Sequence, residues 1–145
     1  MTNQNDLTIA TLERKLRACN DFLAATVSLK KALENDETKI MTDLIKRREQ
    51  LIATIDGLDR RIIRYLQAGS VDRRSATLRQ MNKIAEALSA RIKQIVSANQ
   101  ECEAIAAGRC EECRKDMTMI TQKEEGLQGY AQHRQRVPKF LSVRT

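Results

Sequence analysis

Tryptophan is absent from this 145-residue sequence, and only Phe22, Phe140, Tyr65 and Tyr130 are aromatic. A core without large rings must be filled by Leu, Ile, Met and Ala, as in helical bundles and coiled coils. Proline occurs once, at Pro138, so nothing before it forbids a continuous helix. Histidine also occurs once, at His133. It has no serine or cysteine nucleophile in a recognisable context and no carboxylate placed to orient it, which removes the support for general-base catalysis. Glycine-rich phosphate loops, HExxH and EF-hand patterns are missing too. With these constellations excluded, the chain reads as a non-enzyme that needs no cofactor. No apolar run approaches the length of a membrane span, so no membrane insertion is expected. The first residues, Met1 to Asp6, lack the basic and apolar regions of a signal peptide. A cytoplasmic location is expected, in which the four cysteines stay reduced.

What the sequence does contain is apolar residues at helical spacing from Leu12 to Leu127. Leu12, Leu16, Cys19, Leu23 and Leu33 share one stripe, and Ile40, Leu44, Leu51, Ile55, Leu58, Ile62 and Tyr65 share a second. A third runs from Leu78, Met81 and Ile84 through Leu88, Ile92, Ile95, Cys102 and Ile105 or Ala106 to Cys113, Met117, Ile120 and Leu127. Steps of three and four place such side chains on one face, as in helices that hide a seam against each other. The expected fold is all-α, an antiparallel bundle or coiled coil of three long helices with an extended C-terminal tail.

The boundaries follow from caps and breakers. The spacing predicts helices over about 6–34, 36–67 and 72–125 in a single domain, 1–128, followed by a basic flexible tail, 129–145. Asp6 is a candidate N-cap for the first helix. Asn35-Asp36 is either a short turn, with Asp36 capping the second helix, or part of an unbroken helix; the phase of the stripes leaves both open. Gly69 suits a left-handed cap, and Ser70 or Asp72 can open the third helix. Gly108 marks a bend or a close approach of another backbone, since glycine inside a helix costs about 1 kcal/mol relative to alanine. Gly126 and Gly129 are expected to end the third helix.

The net charge of +7 is unevenly placed: after Gly126 there are four basic residues and no acid, leaving 22 basic against 19 acidic residues in the body. A dedicated nucleic-acid binder concentrates bases on its folded body, so that partner class is disfavoured. Cys110-Glu-Glu-Cys113 has zinc or redox spacing, but only Cys102 and His133 could complete a tetrahedral site. The reading preferred here makes Cys102 and Cys113 small seam residues, with Cys110 nearer the flank, no bound metal, and no assigned role for the pair. The methionines point elsewhere. If the first two helices span about 25 to 30 residues each, the last third of a helix of about 50 is left without cover. The stripe through Ile105, Met117, Ile120 and Leu127 would then be bare, and a bare apolar stripe calls for a partner helix.

Three passages carry a resemblance to a known family. They are Leu29-Lys-Lys-Ala-Leu-Glu-Asn-Asp-Glu37, then Leu44-Ile-Lys-Arg-Arg-Glu-Gln-Leu-Ile52 continuing to Ile55 and Leu58, and Asn99-Gln-Glu-Cys-Glu-Ala-Ile105 with Gly129-Tyr130 after it. They resemble the small export chaperones of the bacterial flagellar type III secretion system, of the FlgN/FliT kind. The resemblance implies a protein that holds the terminal helices of an exported hook-associated or filament-cap subunit and delivers it to the export gate. Tyr130 would then dock at the export gate, Ile105, Met117, Ile120 and Leu127 would form the substrate-binding groove, and export-gate or export-ATPase components would be partners of the chain. The rival expectations are a structural coiled-coil component of the same export apparatus and a basic nucleic-acid-associated helical protein. A homo-oligomer stays open.

Overall fold

In a computed structural model the chain is all-α, with three helices and no strand among the described residues, 4–69 and 76–136. Helix α1 spans Gln4–Glu34, α2 Thr38–Ala68 and α3 Ala76–Arg136. The chain divides into two compact units, Met1–Ile105 and Ala106–Thr145. The first is a three-helix bundle of α1, α2 and the opening half of α3; the second carries the remainder of α3.

Small residues build the α1 side of the bundle. Thr11, Ala18, Ala25 and Ala32 recur every seven residues, and Thr8, Phe22 and Leu29 occupy the alternate seam position; all are buried. The larger Leu12, Leu16, Leu23 and Leu33, expected as the seam, are half-buried at its flank. Their displacement follows from size, because alanine and threonine let neighbouring helices approach more closely than leucine does. Thr8, Thr11 and Thr26 are tolerated inside because each hydroxyl donates to the carbonyl four residues back, on Gln4, Leu7 and Phe22, at 2.8, 2.6 and 2.8 Å. On α2, Leu51 and Leu58 are buried, and on α3 Met81, Leu88, Ala98 and Cys102 are. Ile40 and Ile92, placed on the stripes by spacing, are exposed.

One node ties the three helices. The Arg48 guanidinium of α2 lies over the Phe22 ring of α1, 4.8 Å from its centroid. Its Nη2 donates to Asn99 Oδ1 of α3 at 2.8 Å, and Asn99 Nδ2 donates to Glu103 at 3.0 Å. Ion pairs reinforce the same packing: Lys15 to Asp59 at 2.6 Å joins α1 to α2, and Lys30 to Glu101 at 2.8 Å joins α1 to α3. The hydrogen bond and charge of Glu101 raise the Lys30 ammonium above its ordinary range.

The helix ends settle the open turn and correct three expectations. α1 and α2 are separate. Asp36 takes a left-handed φ of 54°, and the Glu37 amide bonds the Ala32 carbonyl at 3.0 Å, a closure of the Schellman kind. Asp36 therefore finishes α1 and does not cap α2, whose cap residue, Glu37, makes no side-chain cap bond. α1 begins at Gln4, so Asp6 sits in its first turn, where a carboxylate favours the helix dipole, and is not the cap. Gly69 closes α2 at φ −117° and ψ 155°, which is extended and not left-handed. A Cβ there would stand 3.0 Å from Gln4 Oε1, the tip of an exposed side chain that can shift aside. The candidate caps Ser70 and Asp72 lie outside the described residues. Finally, α3 does not stop at Glu125. It runs through Gly126 and Gly129 to Arg136, because isolated glycines tax a helix without breaking it, and no proline intervenes. Residues 129–136 are thus helix rather than tail, and 137–145 lie outside the described residues.

Candidate functional site

Following α3 in steps of seven shows where its inner face changes. Met81, Leu88, Ile95 and Cys102 form one row in the bundle, and the next members of that row are Arg109 and Asp116. The charged side chains end the seam. A second apolar row starts one residue later than Ile105, with Ala106, Cys110, Cys113, Met117, Ile120 and Leu127 at steps of three and four, interrupted by Glu124. No described element packs on this row within its unit. Met117, Ile120 and Leu127 are 68, 55 and 69% exposed, and Met119 beside them 53%. Along the helix Cys110, Cys113, Met117 and Thr121 line a shallow, largely apolar furrow edged by Arg109, Arg114 and Glu125. Arg109 also approaches Glu112 at 3.5 Å, and Arg114 approaches Glu111 at 3.6 Å. Leaving such a surface in water costs about 25 cal/mol per Å² of apolar area, and a helix laid along it removes that cost.

Of the four residues expected to form a groove, Met117, Ile120 and Leu127 share this face. Ile105 does not join them; it is half-buried and belongs to the first unit. Tyr130 lies on helical backbone, and its side chain and that of His133 fall outside the described set. α3 is helical through Gly108, and a Cβ there would meet nothing within 4 Å.

The cysteines separate into two pairs by environment. Cys19 and Cys102 are buried, and Cys102 donates its S–H to the Thr26 carbonyl at 3.4 Å. Burial pushes both thiols above their ordinary value of 9.0, a rise that Lys15 moderates at Cys19 and Arg48 at Cys102. Cys110 and Cys113 are both exposed. Cys113 is therefore not a seam residue of the bundle, since the seam has already ended at Ile105. Among the described residues no group of three or more His, Cys, Asp or Glu side chains is placed to hold a metal ion.

Spacing missed a second exposed apolar set. Ile45 and Ile52 on α2 and Ile92 and Val96 on α3 are 44 to 49% exposed, and Ile52, Ile55, Ile92 and Ile95 line a small cavity of about 280 Å³ with Phe22 and Cys19. The signal was present in the pairs Leu44-Ile45 and Leu51-Ile52, each of which widens the stripe by one position.

No family model matches this chain, and neither a curated protein nor a solved structure does. Among the described residues no helix is long and apolar enough to cross a membrane.

Proposed function

We propose that this protein is a helix-binding module acting as a flagellar export chaperone, which holds a terminal amphipathic helix of an exported hook-associated or filament-cap subunit on the second unit of α3. The observation that carries the proposal is the uncovered row Met117, Ile120 and Leu127, each more than half exposed on a regular helix. A partner helix with anchors at i, i+3, i+4 and i+7 has the spacing to cover it. The meeting of Arg48 with Asn99 adds weaker support, because it brings together two of the passages on which the family resemblance rests.

The test is isothermal titration of the full chain with the terminal helices of exported flagellar subunits. Met117→Asp with Ile120→Asp abolishes binding while helicity and the thermal midpoint hold, since neither residue is in the bundle core. Tyr130→Ala leaves subunit binding intact and lowers export. Unchanged binding in the double variant would sink the assignment of this face.

The 61-residue length of α3 favours a second reading, a coiled-coil stalk of the export apparatus. A stalk binds an ATPase or ring component and is indifferent to subunit helices, so the same titration separates the two.

A further inference from the structure

The first unit carries a groove unlike the α3 face. Between α1 and α2, a cavity of about 540 Å³ has the buried Ala18, Leu51 and Leu58 at its floor, Ala53, Thr54 and Gly57 beside them, and a rim that includes Arg14, Arg17, Arg47 and Arg61. Asp21 is the one acid among the described residues of its lining, which thus set four positive charges against one negative. None of the four arginines makes an ion pair or a hydrogen bond with a described residue, whereas Lys15 and Lys30 on α1 are both paired. Arg47 and Arg61 are fourteen residues apart on α2, about 21 Å along one face.

The α2 wall of the groove is lined by small residues, Ala53, Thr54 and Gly57. Gly57 lies in the middle of α2, where it costs about 1 kcal/mol relative to alanine. No contact with a described residue requires it: a Cβ at Gly57 would meet nothing within 4 Å. With Ala53 one turn away and Ala18 across the groove, it leaves room for another backbone to come close.

We propose that this groove docks an acidic amphipathic helix of a partner protein, its small apolar residues against Ala18, Ala53 and Gly57 and its carboxylates between the arginine rims. Charge complementarity selects the partner. Guanidinium forks pair with carboxylates in two-pronged geometry, and an apolar floor between basic rims matches a helix that is apolar on one face and acidic on both flanks. Single-stranded nucleic acid fits less well, because none of the described residues lining the groove is an aromatic on which a base could stack.

The probe is a fluorescein-labelled peptide about 20 residues and 30 Å long, helical, with an alanine and leucine face and glutamate on both flanks. A matched peptide with lysine flanks and a mixed-sequence DNA duplex serve as rivals, and anisotropy is read with the full chain. The glutamate peptide binds and the lysine peptide does not. Arg47→Glu with Arg61→Glu weakens binding at least about tenfold, and Gly57→Leu weakens it similarly while raising helical stability. Should the charge reversals disturb folding, Arg47→Gln with Arg61→Gln carries the same test with a smaller loss. Met117→Asp with Ile120→Asp leaves this binding unchanged, so the groove and the α3 face succeed or fail separately. The proposal is overturned if the glutamate peptide fails to bind, if both peptides bind alike, or if Gly57→Leu has no effect. Tighter binding of the duplex, lost in the same arginine variants, would overturn it in favour of a nucleic-acid surface.

Discussion

Arg48 occupies a position on α2 that a purely apolar seam would give to leucine or isoleucine. Its ring contact with Phe22 and its bond to Asn99 offset the cost of partial burial, although its Nε finds no partner. Arg48→Ala should cost about 2 kcal/mol in urea denaturation, since a hydrogen bond to a charged group and a cation–π contact are lost together. A double-mutant cycle with Asn99→Ala should return a coupling of about 1 kcal/mol; additivity within error would mean that the two side chains do not support each other. Arg48→Met, which fills the same space with hydrocarbon, should cost less than Arg48→Ala. At the cysteines, Cys110 and Cys113 should react with a disulfide reagent at the rate of free thiols, and Cys19 and Cys102 only as fast as the bundle opens. Four equal rates would contradict the division. The buried pair also sets a pH dependence. A thiol whose folded pKa is raised costs nothing below its ordinary value of 9.0; above it the unfolded chain releases its proton first and is favoured. The urea midpoint should therefore fall as the pH rises above about 9, and replacing both cysteines with alanine should flatten that fall. Burial at residue 102 was legible from spacing; exposure at 113 was not, because counting apolar residues does not reveal that the seam turns charged at Arg109.

Among the helices, α3 shows what spacing conveys and what it hides. The existence and order of three helices followed from periods of three and four, which depend only on side chains sharing a face. Ends were harder. Gly126 and Gly129 look like stops, yet two isolated glycines cost a helix only about 1 kcal/mol each, and nothing nearby offers the chain a better alternative. At Asp36 the difficulty was of another kind, since a left-handed residue other than glycine leaves little trace in sequence. Asp36→Gly should hold or raise the thermal midpoint, whereas Asp36→Val, with a branched Cβ at φ 54°, should lower stability by about 1–2 kcal/mol. Equal midpoints would mean that the turn is not held in this conformation. Gly108→Ala should raise the helical stability of α3 by up to about 1 kcal/mol, because the space around that position is open.

For the whole molecule, the two units have different grounds for stability. The bundle owns a continuous core, whereas the second unit is helix with its apolar row uncovered. A chain truncated after Ile105 should keep a cooperative unfolding transition, monitored by circular dichroism, while losing the binding assigned to Met117 and Ile120. Loss of the transition would mean that the later residues hold the bundle together. The α3 face could be anticipated because it follows from comparing helix lengths. The arginine groove could not, since Arg14 and Arg17 meet Arg47 and Arg61 only after α1 folds back on α2, and in the sequence they look like solvated charges. The turn that makes this fold-back has a kinetic consequence. It closes a hairpin between neighbouring segments, whereas the bonds from α3 bridge 51 residues at Arg48 and Asn99 and 76 at Cys102 and Thr26. Longer loops cost more entropy to close, by about 0.6 kcal/mol for each doubling, so the α1–α2 hairpin should form first and α3 dock onto it. In stopped-flow experiments Asp36→Val should mainly slow folding, and Cys102→Ala should mainly hasten unfolding; the reverse pattern would put α3 in the folding nucleus.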